Sequence, residues 1–246
     1  MEQKEKGRRI LPCNSTACGN NGESRIRICS RCSETEKYYG WYNDGTYTYY
    51  YGNDGNLLHG WQTIDGNRYY FNIAGIMFVQ WRTLNGNWYY FGDDGIMRTG
   101  WVQVNGSWYY LNSNGVMQTG WVQDNGNWYY MNSSGVMQTG WVQVNNVWYF
   151  FSPSGVMQTG WVHSGNYWYY MNSDGSMHTG WLQLNGNWYY LKPENGRMVT
   201  GTYVINGGTY YFDSNGVCQN PYNPQGAGST PELLGGEPNE PQELIA

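Results

Sequence analysis

Between Gly100 and Leu111 the chain reads GWVQV, then Asn105-Gly106, then SWYYL: two short runs of alternating character around a dipeptide that tolerates positive φ. Asn-Gly is the residue pair a two-residue type I′ turn demands, so the stretch predicts a tight β-hairpin. With Asn105 and Gly106 at the turn, Val104 faces Ser107, Gln103 faces Trp108, Val102 faces Tyr109 and Trp101 faces Tyr110. Side chains alternate along a strand, which sorts them onto two faces. One carries Trp101, Gln103, Trp108 and Tyr110, the other Val102, Val104, Tyr109 and Leu111. Both are partly apolar. A lone hairpin cannot hide either, so the unit has to stack on copies of itself.

Copies are present. Gly120 to Thr139 repeats Gly100 to Thr119 almost word for word, and the phase holds over most of the chain. A first tryptophan recurs at positions 41, 61, 81, 101, 121, 141, 161 and 181, and a second, seven residues on, at 88, 108, 128, 148, 168 and 188. Together they account for all 14 tryptophans. Methionine keeps the same clock at 77, 97, 117, 137, 157, 177 and 198. The expected fold is all-β, a solenoid of stacked β-hairpins with repeats of about 20 residues, over residues 38–219. Its ends decay as capping units should. The first unit shifts its turn to Asp44-Gly45, the second has Arg68 for its second tryptophan, and the last has Thr202 and Thr209 in both places, after a one-residue insertion in Lys192-Pro193-Glu194-Asn195-Gly196. Residues 220–246, rich in Pro, Gly and Glu, form a tail expected to be disordered.

Composition narrows the function. Aromatic residues make up 18% and charged residues 13% of the chain, against roughly 25% charged in an average globular domain. Residues 1–37 hold 8 of the 13 basic side chains, whereas 38–217 hold 5 basic against 9 acidic. Such a body lacks the basic stripe that nucleic-acid binding requires. No apolar run reaches the roughly 18 residues of a membrane span. The N-terminus has basic residues but no apolar stretch of signal-peptide type. The expectation is a secreted, cell-wall-associated protein whose sequence starts inside a longer precursor or is exported by another route.

Residues 1–37 form a separate cysteine-containing segment. Cys13, Cys18, Cys29 and Cys32 are spaced C-x4-C-x10-C-x2-C, and the last pair has the short loop of a zinc knuckle. Two disulfides explain the same spacing without metal in an exported protein. Zinc at these four cysteines is the one cofactor the sequence suggests. Cys218 has no obvious partner.

The paired tryptophans suggest a binding chemistry. If Trp101 and Trp108 meet Tyr130 of the next hairpin, with Met117 or Met137 nearby, three π faces enclose a small void containing no carboxylate or lysine. An aromatic cage suits a quaternary ammonium, whose methyl groups cannot donate hydrogen bonds and whose charge is attracted to each ring by about 0.5–2 kcal/mol. Choline fits. The motifs GWVQ, WYYLNSNG and VMQTG at a period of 20 also resemble the choline-binding, or cell-wall-binding, repeats of Gram-positive surface proteins and phage lysins. That resemblance implies choline held between consecutive hairpins, anchoring the protein to teichoic or lipoteichoic acid through two tryptophans of one unit and a tyrosine of the next. Carried over, the cages are Trp81, Trp88 and Tyr110; Trp101, Trp108 and Tyr130; Trp141, Trp148 and Tyr170; and Trp161, Trp168 and Tyr190. Two are altered: Trp121 and Trp128 meet Phe150, and Trp181 and Trp188 meet Tyr211 across the insertion. Arg68 is expected to spoil the cage of Trp61 and Tyr90.

Other readings stay open beside this one. The aromatic stripe could be packing alone, making a structural spacer. Related repeats in glucan-binding proteins and clostridial toxins share the YYF and NGV elements, and Gln103, Gln123, Gln143 and Gln183 on the aromatic face would suit a sugar. Catalysis is not expected. His59, His163 and His178 occupy unrelated repeat positions, and no nucleophile has a histidine placed to serve it. Asp93-Asp94-Gly95 reads as a loop variant rather than a calcium site.

Overall fold

The computed structural model describes residues 38–221, where every regular element is a β-strand. The cysteine segment and most of the tail lie outside the described residues. Strands pair with their sequence neighbours in nine two-stranded sheets among the described residues, from Gly40–Asn43 with Thr48–Tyr51 to Gly201–Ile205 with Gly208–Phe212. The expected register is present. In the hairpin of Gly120–Asp124 and Asn127–Met131, Gln123 faces Trp128, Val122 faces Tyr129 and Trp121 faces Tyr130. Its turn residues Asn125 and Gly126 have φ of 48° and 79°, the two positive values a type I′ turn needs. The first hairpin differs, because the Asp44 carboxylate accepts hydrogen bonds from the amides of Thr46 and Tyr47 and holds a wider loop.

The chain divides into two compact units, one of residues 38–102 with 110–117 and one of 103–109 with 118–221. The same packing rule operates inside each. The closing residue is fully buried in seven of the nine described hairpins: Phe71, Phe91 and Leu111 in the first unit, Met131, Phe151, Met171 and Leu191 in the second. In the second unit Val122, Val162 and Leu182, on that same face, are also buried. The valine and leucine face therefore turns inward, and the tryptophan face stays partly open.

Successive hairpins are joined by more than side-chain packing. The amide of each clock methionine donates to a carbonyl of the preceding hairpin, at the second-tryptophan position: Met157 to Trp128 at 2.8 Å, Met177 to Trp148 at 2.7 Å, and Met97 to Arg68 at 2.8 Å. These bonds satisfy backbone groups on what would otherwise be a bare strand edge. The methionine side chain then runs under the glycine of the following loop. A Cβ built on Gly175 would lie 2.3 Å from the Met157 sulfur, and one on Gly196 2.3 Å from that of Met177. Cys218 takes the methionine position in the last unit. It is buried and free, and desolvation pushes its thiol pKa up.

Candidate functional site

The two tryptophans of a hairpin stand diagonally on its open face, nearly perpendicular to each other. Ring centroids are 6.4 Å apart in Trp81–Trp88, 6.2 Å in Trp121–Trp128, and 6.4 Å in both Trp141–Trp148 and Trp161–Trp168, with interplanar angles of 82° to 89°. Two rings at a right angle and this distance form the walls of a corner. The second tryptophan is the exposed wall: Trp88, Trp108, Trp148 and Trp168 remain 40–47% accessible, which is unusual for so large an apolar ring.

The next hairpin sets a ring against the first tryptophan, and it is not the tyrosine named from the resemblance. The tyrosine facing Trp121 is Tyr149, at 4.8 Å; Trp141 meets Tyr169 at 4.6 Å, and Trp161 meets Tyr189 at 5.0 Å. The residues named from the resemblance, one position later, lie across the ladder from the tryptophan of their own hairpin. Tyr110 stands 5.1 Å from Trp101, Tyr130 5.2 Å from Trp121, Phe150 5.0 Å from Trp141, Tyr170 5.3 Å from Trp161 and Tyr190 5.1 Å from Trp181. The reason is the direction of stacking. Hairpins that follow head to tail bring the tryptophan face of one onto the opposite face of the next, and on that face the first tyrosine of the pair sits. Burial raises the Tyr149 pKa, with the Asp174 carboxylate adding to it, so this ring stays a neutral phenol.

The corner at Trp141 and Trp148 opens into a cleft of about 630 Å³ lined also by Tyr169, Met177, Thr179 and Glu194. Met177 lines this cleft, and of the two methionines expected near Trp101 and Trp108, the Met137 amide bonds the Trp108 carbonyl while the Met117 amide bonds that of Trp88. Glu194 sets a carboxylate beside a corner expected to hold none. It comes from the loop with the inserted residue, a departure from the period that is visible in the sequence but does not by itself say where the loop lands.

The ends differ from the middle. Trp188 is only 8% exposed, within a buried cluster that includes Val199, Tyr210 and Cys218, while Tyr211 points away at 53% exposure. The expected site of Trp181, Trp188 and Tyr211 is therefore not an open corner. At the other end the guanidinium of Arg68 lies 4.6 Å from the centre of the Trp61 ring, and Tyr89 packs on that same indole at 5.2 Å. Arg68 thus sets a cation of the chain's own over the first tryptophan of this hairpin.

These features agree with the comparisons to known proteins. A family model described as "Choline-binding repeat" matches residues 79–117, 98–139, 118–159, 138–170 and 158–203, and one described as "Putative cell wall binding repeat" matches 59–77 and 205–218. The chain is 38% identical to CbpJ of Streptococcus pneumoniae TIGR4, over 70% of each chain, with a TM-score of 0.66. It is 36% identical to CbpF solved in complex with ipratropium, over 70% of each chain, with a TM-score of 0.58. With the choline-binding domain of CbpL from Streptococcus pneumoniae it shares 32% identity over 74% of this chain and 98% of that one, at a TM-score of 0.55. No curated protein matches the chain at a significant level. The chain belongs to the choline-binding repeat family.

Proposed function

We propose that the chain attaches a protein to choline-bearing teichoic or lipoteichoic acid of a bacterial cell wall, by binding and not by catalysis. The observation that carries this reading is the cleft whose walls are Trp141, Trp148 and Tyr169. Three rings at mutual angles offer π faces to one trimethylammonium group from several sides. Equivalent cages are assigned to Trp121, Trp128 and Tyr149 and to Trp161, Trp168 and Tyr189, and the corner of Trp81 and Trp88 begins another. A single cage of this kind binds in the millimolar range, about −4 kcal/mol. Several on one chain convert weak contacts into retention when the polymer presents cholines at reachable spacing.

Choline is expected to raise the melting temperature. Ligand bridging two hairpins binds only the folded chain, and saturation at a hundred times the dissociation constant adds about 2.7 kcal/mol per site. Calorimetry with choline, and separately with glucan oligosaccharides, tests this. Stabilisation by the glucan with none by choline would replace the choline reading by a glycan one, and no response to either would leave a spacer.

Arg68 gives a second test by gain of function. In Arg68→Trp the chain loses its own cation over Trp61 and acquires the missing second indole. One additional choline site is expected, seen as a choline-dependent shift of the Trp61 indole resonance that is absent in the parent protein. An unmoved Trp61 signal would show that Arg68 is not what blocks this corner.

A further inference from the structure

The loop from Lys192 to Met198 carries an inserted residue and the acidic Glu194, and it places a basic residue at two repeat positions, those of Lys192 and Arg197, that hold none in the other copies. At the loop's first residue other copies carry Asn112 or Asn132, whose side-chain oxygen accepts amide hydrogen bonds from the loop. Lysine cannot do so. Here the Lys192 carbonyl takes the amides of Asn195 and Gly196, and the Asn195 side chain takes that of Arg197. Arg197 itself stands where Val116, Val136 and Val156 stand in other loops. The two cations reach one cleft of about 510 Å³ that is lined by Trp168 and contains no acidic residue. Each leans on a ring: Arg197 lies 3.9 Å over Tyr167, and the Lys192 ammonium 5.0 Å over Tyr203. The Arg197 Nε is buried without a hydrogen-bond partner, a donor left unsatisfied where structures seldom tolerate one.

We propose that this cleft is an anion subsite that takes the phosphate of a phosphocholine group whose ammonium sits in the adjoining cage of Trp161, Trp168 and Tyr189. The inference rests on the choline reading and extends it. Trp168 links the two, standing at nearly a right angle to Trp161 with centroids 6.4 Å apart and lining the cleft. Two nearby positive charges oppose a bare ammonium in that cage, as like charges do. A phosphate one short linker away reverses the sign, because each cation then gains an anionic partner. The neighbouring cage of Trp141 and Trp148 lacks these cations and instead has Glu194 at its rim. It accordingly favours choline itself. Adjacent cages on one chain thus differ in ligand preference.

The test uses the full chain, with the indole resonances of Trp148 and Trp168 assigned by single Phe substitutions and titrated with choline, phosphocholine and inorganic phosphate. Phosphocholine is expected to bind at Trp168 about tenfold more tightly than choline, in keeping with charge-assisted hydrogen bonds, and no more tightly than choline at Trp148. In Lys192→Gln/Arg197→Gln the preference at Trp168 disappears while Trp148 still titrates with choline, which certifies the fold. Equal affinities for choline and phosphocholine at Trp168 in the parent chain, or a preference that survives the double substitution, would overturn the anion subsite alone. Inorganic phosphate binding there as tightly as phosphocholine would remove the link to the cage. Failure of choline to move either indole would instead sink the anchoring reading.

Discussion

Replacing Gly175 by alanine is expected to destabilise the folded chain by about 2–4 kcal/mol, the sum of an overpacked contact and a left-handed backbone that alanine dislikes. Gly175 has a φ of +83°, and its added Cβ would lie 2.3 Å from the Met157 sulfur. Gly186 separates the two causes. Its φ of +82° is almost the same, yet nothing lies within 4 Å of its Cβ position, so Gly186→Ala is expected to cost only about 1 kcal/mol. Thermal denaturation of the two variants followed by circular dichroism gives the comparison. Adding Met157→Ala to Gly175→Ala should recover part of the loss, because it empties the space the new methyl needs, and the coupling appears as non-additivity in a double-mutant cycle. Equal losses at Gly175 and Gly186 would mean that the methionine yields freely and does not staple one unit to the next.

That staple marks the limit of what the sequence conveys. The period of 20, the Asn-Gly turns and the alternation of apolar positions determine each hairpin and its register, because these depend on neighbours in the chain. How one hairpin meets the next depends on groups that pattern alone does not orient. The methionine spacing was plain, but the bond from the Met177 amide to the Trp148 carbonyl is a backbone contact that carries no residue signature. The tryptophan corners were legible for a similar reason to the turns, since both indoles come from one hairpin. Their third wall was not. Tyr169 and Tyr170 are adjacent and chemically identical, and choosing between them requires knowing which face of the hairpin turns back toward its predecessor. The valine alternation carries that information, because Val162 and Tyr169 face each other across the ladder and both are buried. The inserted residue before Gly196 was visible too, but the arrival of Glu194 at the Trp141 corner follows from the stacking alone.

Leucine substitutions at this tyrosine pair are expected to act on different cages, and the crossing of effects is what distinguishes the arrangement. Tyr169 packs against Trp141 at 4.6 Å, whereas Tyr170 packs against Trp161 at 5.3 Å. Tyr169→Leu retains apolar volume at a buried position but removes one π face from the corner of Trp141 and Trp148. Choline affinity there should fall about tenfold, measured at the Trp148 indole, as the loss of one desolvated cation–π contact requires. The Trp168 indole should titrate as before. Tyr170→Leu should leave Trp148 unaffected, and any effect should fall on the cage of its own hairpin. The opposite assignment, with Trp148 insensitive to Tyr169→Leu and weakened by Tyr170→Leu, would restore the tyrosine expected from the resemblance and show that bound choline selects a ring that does not touch Trp141 in the free protein. Retention on a choline-bearing polymer should follow the same pattern with greater amplitude. Losing one cage from a chain of several removes a factor of effective concentration as well as one contact, so Tyr169→Leu should shorten residence on the wall polymer more than its effect on free choline suggests.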